Sequence, residues 1–284
     1  AGRLRGVSPT PFEREGMTHA PSLGEVPEPV DLAVVAVPVD QVADVVDQCG
    51  AAGVRAVVVV TGGYAEAGAA GRARQTELVR RARSYGMRVV GPASLGLYST
   101  APESRFNASI LPTVPREGPL GLFSQSGAIG MMLNAAALRH DVGVSTYLSA
   151  GNRADVSGND MMQYWEDDAA TRACGLYLQS VGNPRKFSRI ARHLAANKPV
   201  IVVKASSATY GVPPGHRVRQ PKVKPHAYTA MLDQAGVIRC ENVHQMFDVA
   251  QLLVHQPLPK GRRVAVVGNS SQLAALSADN ATSR

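Results

Sequence analysis

Cysteine is scarce in this chain, aromatic side chains are few, and long apolar runs are missing. The three cysteines, Cys49, Cys174 and Cys240, lie far apart and make no CxxC or Cys/His spacing, which argues against a disulfide framework and a zinc site. No apolar run reaches the roughly 18 residues a membrane helix needs, and the N-terminus has no charged, apolar and cleavable pattern. The expectation is a soluble, unexported protein with no membrane partner, with cytoplasm as the default. Aromatics are only 5% of residues, and none interleave with basic residues as a single-strand nucleic-acid platform requires, so no nucleic-acid partner is expected.

What the chain does have is small and aliphatic. Hydrophobic residues make up 45% of its 284 residues, dominated by Ala, Val and Gly, a composition that suits short buried parallel strands with helices close against them. That length suits about two domains. The net charge of +8 gathers in three patches, Arg72 to Arg88, Arg185 to Arg192, and His216 to Lys224. The first two have helical spacing and read as solvated helix faces; the third lies in a Pro-rich loop.

Strand and helix patterns alternate along the chain. Asp31 to Pro38 reads as a buried strand, Asp40 to Ala52 as an amphipathic helix, Arg55 to Thr61 as a second strand, residues 72 to 85 as a basic helix, and Met87 to Val90 as a third strand. Such alternation means a parallel sheet with right-handed crossovers, whose ligand edge is the carboxyl end of the strands. Residues 1 to 30 offer no convincing apolar strand, so this unit is expected to lack its opening strand and Gly-rich turn. Residues 101–117 read as a Pro-bearing linker. A second α/β unit follows over 118–257, with strands at Leu120 to Phe123, Val144 to Leu148, Gly175 to Leu178 and Pro199 to Lys204, and a short edge strand at Gly236 to Arg239. Arg262 to Val267 reads as one more strand, opening a third unit over 258–284.

The most informative stretch is Gly121-Leu122-Phe123-Ser124-Gln125-Ser126-Gly127-Ala128-Ile129-Gly130, which puts two hydroxyls and two glycines where a strand hands over to a helix. Unpaired amides of a first helical turn, the helix dipole and the absence of a side chain make such a junction an anion holder. Read blandly, Ser124 and Ser126 are only a capping pair. Asp155, Asn159 and Asp160 are better read as caps of the helix opening near Gly158 than as metal ligands, so no metal site is expected. His226, His244 and His255 fall on helices as surface or packing residues, and Met161, Met162, Tyr164 and Trp165 have helix-packing spacing.

Four motifs in order carry a resemblance: Gly91-Pro92-Ala93-Ser94-Leu95-Gly96, Ser124-Gln125-Ser126-Gly127, Gly151-Asn152-Arg153-Ala154-Asp155-Val156 and Gly236-Val237-Ile238. Together they resemble the nucleoside-diphosphate-forming acyl-CoA synthetase superfamily, which includes the alpha subunit of succinyl-CoA synthetase and ADP-forming acetate-CoA ligases. The resemblance implies a Rossmann-like CoA-binding domain over 1–100, then a flavodoxin-like domain with a phosphorylated histidine. It implies coenzyme A as substrate, and ADP or ATP with Mg²⁺ bound by an ATP-grasp partner. By position, Val37, Pro38, Thr61, Gly62, Gly91, Pro92 and Gly96 would lie against CoA. Ser124, Gln125, Ser126 and Gly127 would cradle phosphate, and His216 would be the phosphorylated residue, about 20 residues before Gly236. Homo-oligomers are common in the family.

The chain departs from that family at points that bear on function. Gln179 stands where a carboxylate usually orients the histidine, and an amide cannot support an imidazolium by charge. Arg217-Val218-Arg219-Gln220-Pro221-Lys222 replaces the usual small residues after the histidine, and Ala93-Ser94 replaces Asn-Cys. Two functions are therefore expected to compete: a ligase subunit acting through His216 and Gln179, or a non-catalytic CoA-sensing module attached to a GNAT-type acetyltransferase.

Overall fold

The computed structural model describes residues 3–205, 225–259, 261 and 263–282. They form two compact units, Ala1–Val254 and His255–Arg284. Among the described residues no helix is long and apolar enough to cross a membrane.

The first third of the chain runs β1 (Arg5–Val7), β2 (Thr18–Ala20), β3 (Leu32–Val35), α1 (Val42–Ala51), β4 (Ala56–Val59), α2 (Ala69–Ser84) and β5 (Arg88–Val90). β3, β4 and β5 pair in parallel in that order. The β-branched runs fit a sheet covered by helices, and Val46, Val57, Val59, Leu78, Ala82, Met87 and Val89 close a core between them. Residues 1 to 30, expected to hold no strand, contain β1 and β2, which pair in parallel with each other. Strands of three residues are too short to show the alternation that marks a strand in sequence.

The second sheet is built from β6 (Gly96–Ser99), β7 (Phe106–Ser109), β8 (Leu120–Ser124), β9 (Val144–Ser149), β10 (Ala173–Leu178), β11 (Val200–Lys204) and β12 (Ile238–Cys240). Its helices are α3 (Gly127–Arg139), α4 (Gly158–Asp167), α5 (Pro184–Ala195), α6 (Pro225–Gln234) and α7 (Val243–His255). The order is β12-β11-β10-β8-β9-β6-β7, parallel from β12 to β9. From β8 the chain moves to one side for β9 and then back across β8 for β10. The carboxyl ends of β8 and β10 therefore flank the point where the winding reverses, the crevice in which open α/β sheets hold ligands. Buried Trp165 anchors α4 beneath this sheet, its indole N–H donating to Thr146 Oγ1 at 2.8 Å.

Two expectations change here. The stretch read as a linker contains β7, which pairs antiparallel with β6 at the sheet edge, and β6 pairs antiparallel with β9. Its prolines flank rather than interrupt the four-residue strand, so composition concealed it. In the second unit, residues 263–268 are not a strand, and Val264 and Val267 are 78% and 95% exposed. A strand needs a neighbour, and among the described residues this segment pairs with none. The helix expected after it is present as α8 (Ser271–Thr282).

Candidate active site at the switch point of the sheet

The loop after β8 is organised by its own hydroxyls. Buried Ser124 donates through Oγ to Ser126 O at 2.8 Å and accepts from the Ser126 amide at 3.2 Å, which fixes the turn. Ser126 is the N-cap of α3, its Oγ accepting from Ile129 N at 3.3 Å. The amides of Gly127 and Ala128 have no protein acceptor among the described residues. They open a helix of 13 residues, so dipole and free donors coincide. A side chain at Gly130 would lie 2.3 Å from the Tyr147 hydroxyl, so that glycine serves packing. A side chain at Gly127 would meet only Leu95, at 3.6 Å, so packing does not explain the glycine there.

Gln125 faces the other way. Its side chain is 7% exposed, donates through Nε2 to Ser180 O at 2.8 Å, and accepts through Oε1 from the amides of Gln179 and Ser180 at 2.8 and 2.9 Å. It clamps the turn after β10. Gln179 is exposed at that turn. Arg153 reaches the same turn, with Nη1 donating to Ser180 O at 2.6 Å. His216 and the basic residues after it lie outside the described residues.

The residues expected at CoA are partly brought together. Thr61 Oγ1 donates to Val37 O at 2.6 Å, and the amides of Ala93 and Ser94 donate to Thr61 O and Val59 O. The turns after β3, β4 and β5 thus form one continuous edge, with Pro38 and Gly62 exposed upon it. Gly91 has φ 106°, and a side chain there would lie 2.6 Å from Val59 O, so only glycine fits. The Gly91–Pro92 peptide is cis. Gly96 is carried away from this edge: it opens β6, paired with Ser109 and Ser149.

Loop 150–156 joins the two edges. The amides of Asn152, Ala154 and Val156 donate to Pro92 O, Gly91 O and Val89 O at 2.9, 3.0 and 3.1 Å, while Ala150 N donates to Ser124 O at 2.8 Å. The Asn152 side-chain amide donates to Glu66, whose carboxylate also accepts from the amides of Gly63 and Tyr64. Asp155 is not a helix cap. Its side chain is fully buried and accepts from Arg83 Nη2 at 2.6 Å, Arg88 Nε at 2.8 Å and Val89 N at 3.0 Å. Burial pushes its pKa up, but the hydrogen bonds from Arg88, Arg83 and Val89 outweigh burial and leave it below the ordinary carboxylate value. Ser157 is the N-cap of α4, and Asp160 completes a capping box by accepting from the Ser157 amide and hydroxyl. The basic run of α2 and β5 is therefore not merely solvated, because Arg81, Arg83 and Arg88 are ion-paired.

Glu66 and Lys204 carry no site role in the sequence reading, Arg153 enters it only as a motif letter, and Asp155 enters it as a motif letter and a helix cap. The one available signal was a polar cluster directly after an apolar strand. Lys204 ends β11, with its ammonium 5.5 Å from the Tyr228 ring centroid, and burial lowers its pKa. Among the described residues no three His, Cys, Asp or Glu side chains gather to hold a metal.

Fold and site define an α/β protein in which a parallel-sheet domain of the CoA-binding type is hydrogen-bonded to a flavodoxin-like domain whose first long helix opens with two free amides. Two family models agree: a CoA binding domain matches residues 1–100, and a succinyl-CoA ligase like flavodoxin domain matches residues 117–253. The chain belongs to the nucleoside-diphosphate-forming acyl-CoA synthetase superfamily. It is 35% identical to the alpha subunit of ADP-forming acetate–CoA ligase I of Pyrococcus furiosus, across 92% of this chain and 56% of the relative. Identity is 33% to the alpha subunit of ligase II from that organism, across 100% of this chain and 61% of the relative. The solved acetyl-coenzyme A synthetase 1 of Ca. Korarchaeum cryptofilum, described as a complex with phosphate and ADP, superposes with a TM-score of 0.87 at 33% identity. That match covers 97% of this chain and 59% of that structure's chain. The chain thus spans somewhat more than half the length of these relatives.

Proposed function

We propose that this chain supplies the CoA-binding and phosphoryl-relay parts of an ADP-forming acyl-CoA ligase. The observation that carries the reading is the pair of free amides at the start of α3, on an edge hydrogen-bonded through loop 150–156 to the turns after β3, β4 and β5. The overall reaction is acyl-CoA + ADP + phosphate ⇌ acid + CoA + ATP. In its first step a phosphate oxygen attacks the thioester carbonyl, the C–S bond breaks, and CoA leaves as thiolate, which takes up a proton. In the second the His216 imidazole takes the phosphoryl group from acyl phosphate, so that a P–N bond forms, a P–O bond breaks and the acid departs. In the third the phosphoryl group passes to ADP on an ATP-grasp partner, which brings its own Mg²⁺.

The residues of this chain act on these steps by position and charge. Gly127 and Ala128 present amides to the phosphoryl oxygens, in the preorganised manner that needs no reorientation as charge moves. The Val37, Thr61 and Gly91–Ala93 edge receives CoA. Gln179 replaces the usual carboxylate, so it can orient the histidine by hydrogen bonding while leaving it a weaker nucleophile. No observation in the fold favours the CoA-sensing acetyltransferase module over this reading, and the relatives described above are ligases.

The test is phosphate transfer. With an ATP-grasp partner, labelled ATP and Mg²⁺, the chain is expected to take up an acid-labile, alkali-stable label that His216→Asn abolishes. Absence of label in the unaltered protein, or its persistence in His216→Asn, would overturn the assignment.

A further inference from the structure

The turn after β10 is held from two directions. From one side Gln125 makes three hydrogen bonds of 2.8 to 2.9 Å to residues 179 and 180. From the other side comes Arg153, whose Nη1 donates at 2.6 Å to Ser180 O, the same carbonyl that Gln125 Nε2 bonds. Arg153 adopts φ 55°, a left-handed conformation that non-glycine residues rarely take and that persists only where the surroundings over-determine it. Here they do. Its own amide donates to Ala150 O at 2.8 Å, and its neighbours Asn152 and Ala154 are bonded to Pro92 O and Gly91 O. From this backbone the guanidinium reaches the turn bearing Gln179.

We infer that Arg153 and Gln125 are positioning residues for phosphoryl transfer, fixing the 179–180 turn against the N-terminus of α3. The inference rests on the ligase reading above and adds to it two residues that act through the 179–180 turn. Gln179 occupies the position expected to orient the histidine, and its amide is one of the three groups Gln125 grips. Transfer between a histidine and an anion held at α3 is sensitive to small displacements, because a shift of about 1 Å can cost about a hundredfold in rate. An arginine suits the task because its planar fork keeps a fixed direction, which a lysine ammonium on a flexible stem does not.

The experiment compares R153A, R153K, Q125A and the double variant R153A/Q125A with the unaltered chain, each combined with an ATP-grasp partner. Single-turnover labelling from ATP gives the transfer rate, calorimetry gives the CoA dissociation constant, and hydrogen exchange reports the amides of Gln179 and Ser180. The expected result is that R153A and Q125A each slow transfer about tenfold or more, while CoA affinity changes less than about threefold. Exchange at Gln179 and Ser180 should rise. Because the two side chains share one acceptor, the double variant should be little slower than the slower single variant. R153K, which keeps the charge without the fork, should fall between. A labelled wild type with R153A within twofold of it would overturn the inference alone, as would single effects that multiply in the double variant. An unlabelled wild type would overturn the ligase reading, and the inference with it.

Discussion

At the scale of single residues, the loop after β8 separates two roles that the sequence could not. Ser124 and Ser126 are capping and turn-closing residues, as the bland reading held, and the same geometry leaves two amides free. Gln125 lies between them in sequence, but successive residues leaving a strand point in opposite directions, and its side chain goes to the turn after β10. Which way it turns depends on a strand more than fifty residues away, which spacing cannot reveal. Two substitutions test the division of labour. Ser126→Asp keeps an N-cap acceptor and should hold stability within about 0.5 kcal/mol, since Asp and Ser cap about equally well. It also places a carboxylate beside the free amides, so phosphoryl transfer should fall at least tenfold. Gly127→Ala should be tolerated or slightly stabilising, by up to about 1 kcal/mol, because a helical position with room for a methyl group gains from a less flexible unfolded chain. Transfer should nonetheless weaken as the methyl group enters the anion's space. If both variants match the unaltered protein in thermal unfolding and in transfer rate, the α3 terminus is a cap and nothing more.

At the scale of elements, long strands and helices were legible and short or edge pieces were not. The strands β8 to β11 and the helices between them carry strong apolar runs and start signals, such as Asn183 accepting from the amides of Arg185 and Lys186 ahead of Pro184. The antiparallel pair β6 and β7 is marked by no such signal, because its stability comes from tertiary contacts. One of these can be cut. Asn134 of α3 is 4% exposed, accepts from Tyr98 Oη of β6 at 3.1 Å and donates to Thr113 O at 2.7 Å. Asn134→Ala leaves a buried hydroxyl and a carbonyl without these partners, which costs about 2 kcal/mol in all. In a unit of this size that corresponds to a fall in melting temperature of roughly 4 to 8 °C. Calorimetry reads it directly. A change below about 1 °C would mean that the edge of the sheet is held by packing alone.

At the scale of the whole molecule, the α/β patterns over 1–100 and 118–257 were legible in sequence but not the hydrogen bonds that join them. Asp155 was legible as a motif letter and a helix cap, and its role emerges only when β5, α2 and loop 150–156 meet, 66 to 72 residues apart in sequence. Its carboxylate is fully buried, while its partners Arg83 and Arg88 are 63% and 50% exposed, so solvent screens the ion pairs and their contribution is modest. Asp155→Asn keeps an acceptor for the Val89 amide but removes the charge, and should destabilise the unit by about 1 to 2 kcal/mol at pH 7. The effect has a direction in pH. The folded carboxyl has a lowered pKa, so its stabilisation is fully present above the unfolded value of about 3.9 and is lost as pH falls through the lower folded value. The gap in melting temperature between the unaltered protein and Asp155→Asn should therefore be constant from pH 7 to about 5 and close below about pH 4. Raising the salt at pH 7 should narrow it as well, because the guanidinium groups face solvent. A gap that stays open at pH 3, or that never appears at pH 7, would show that the backbone bonds of Asn152, Ala154 and Val156 hold the two edges together without the buried charge.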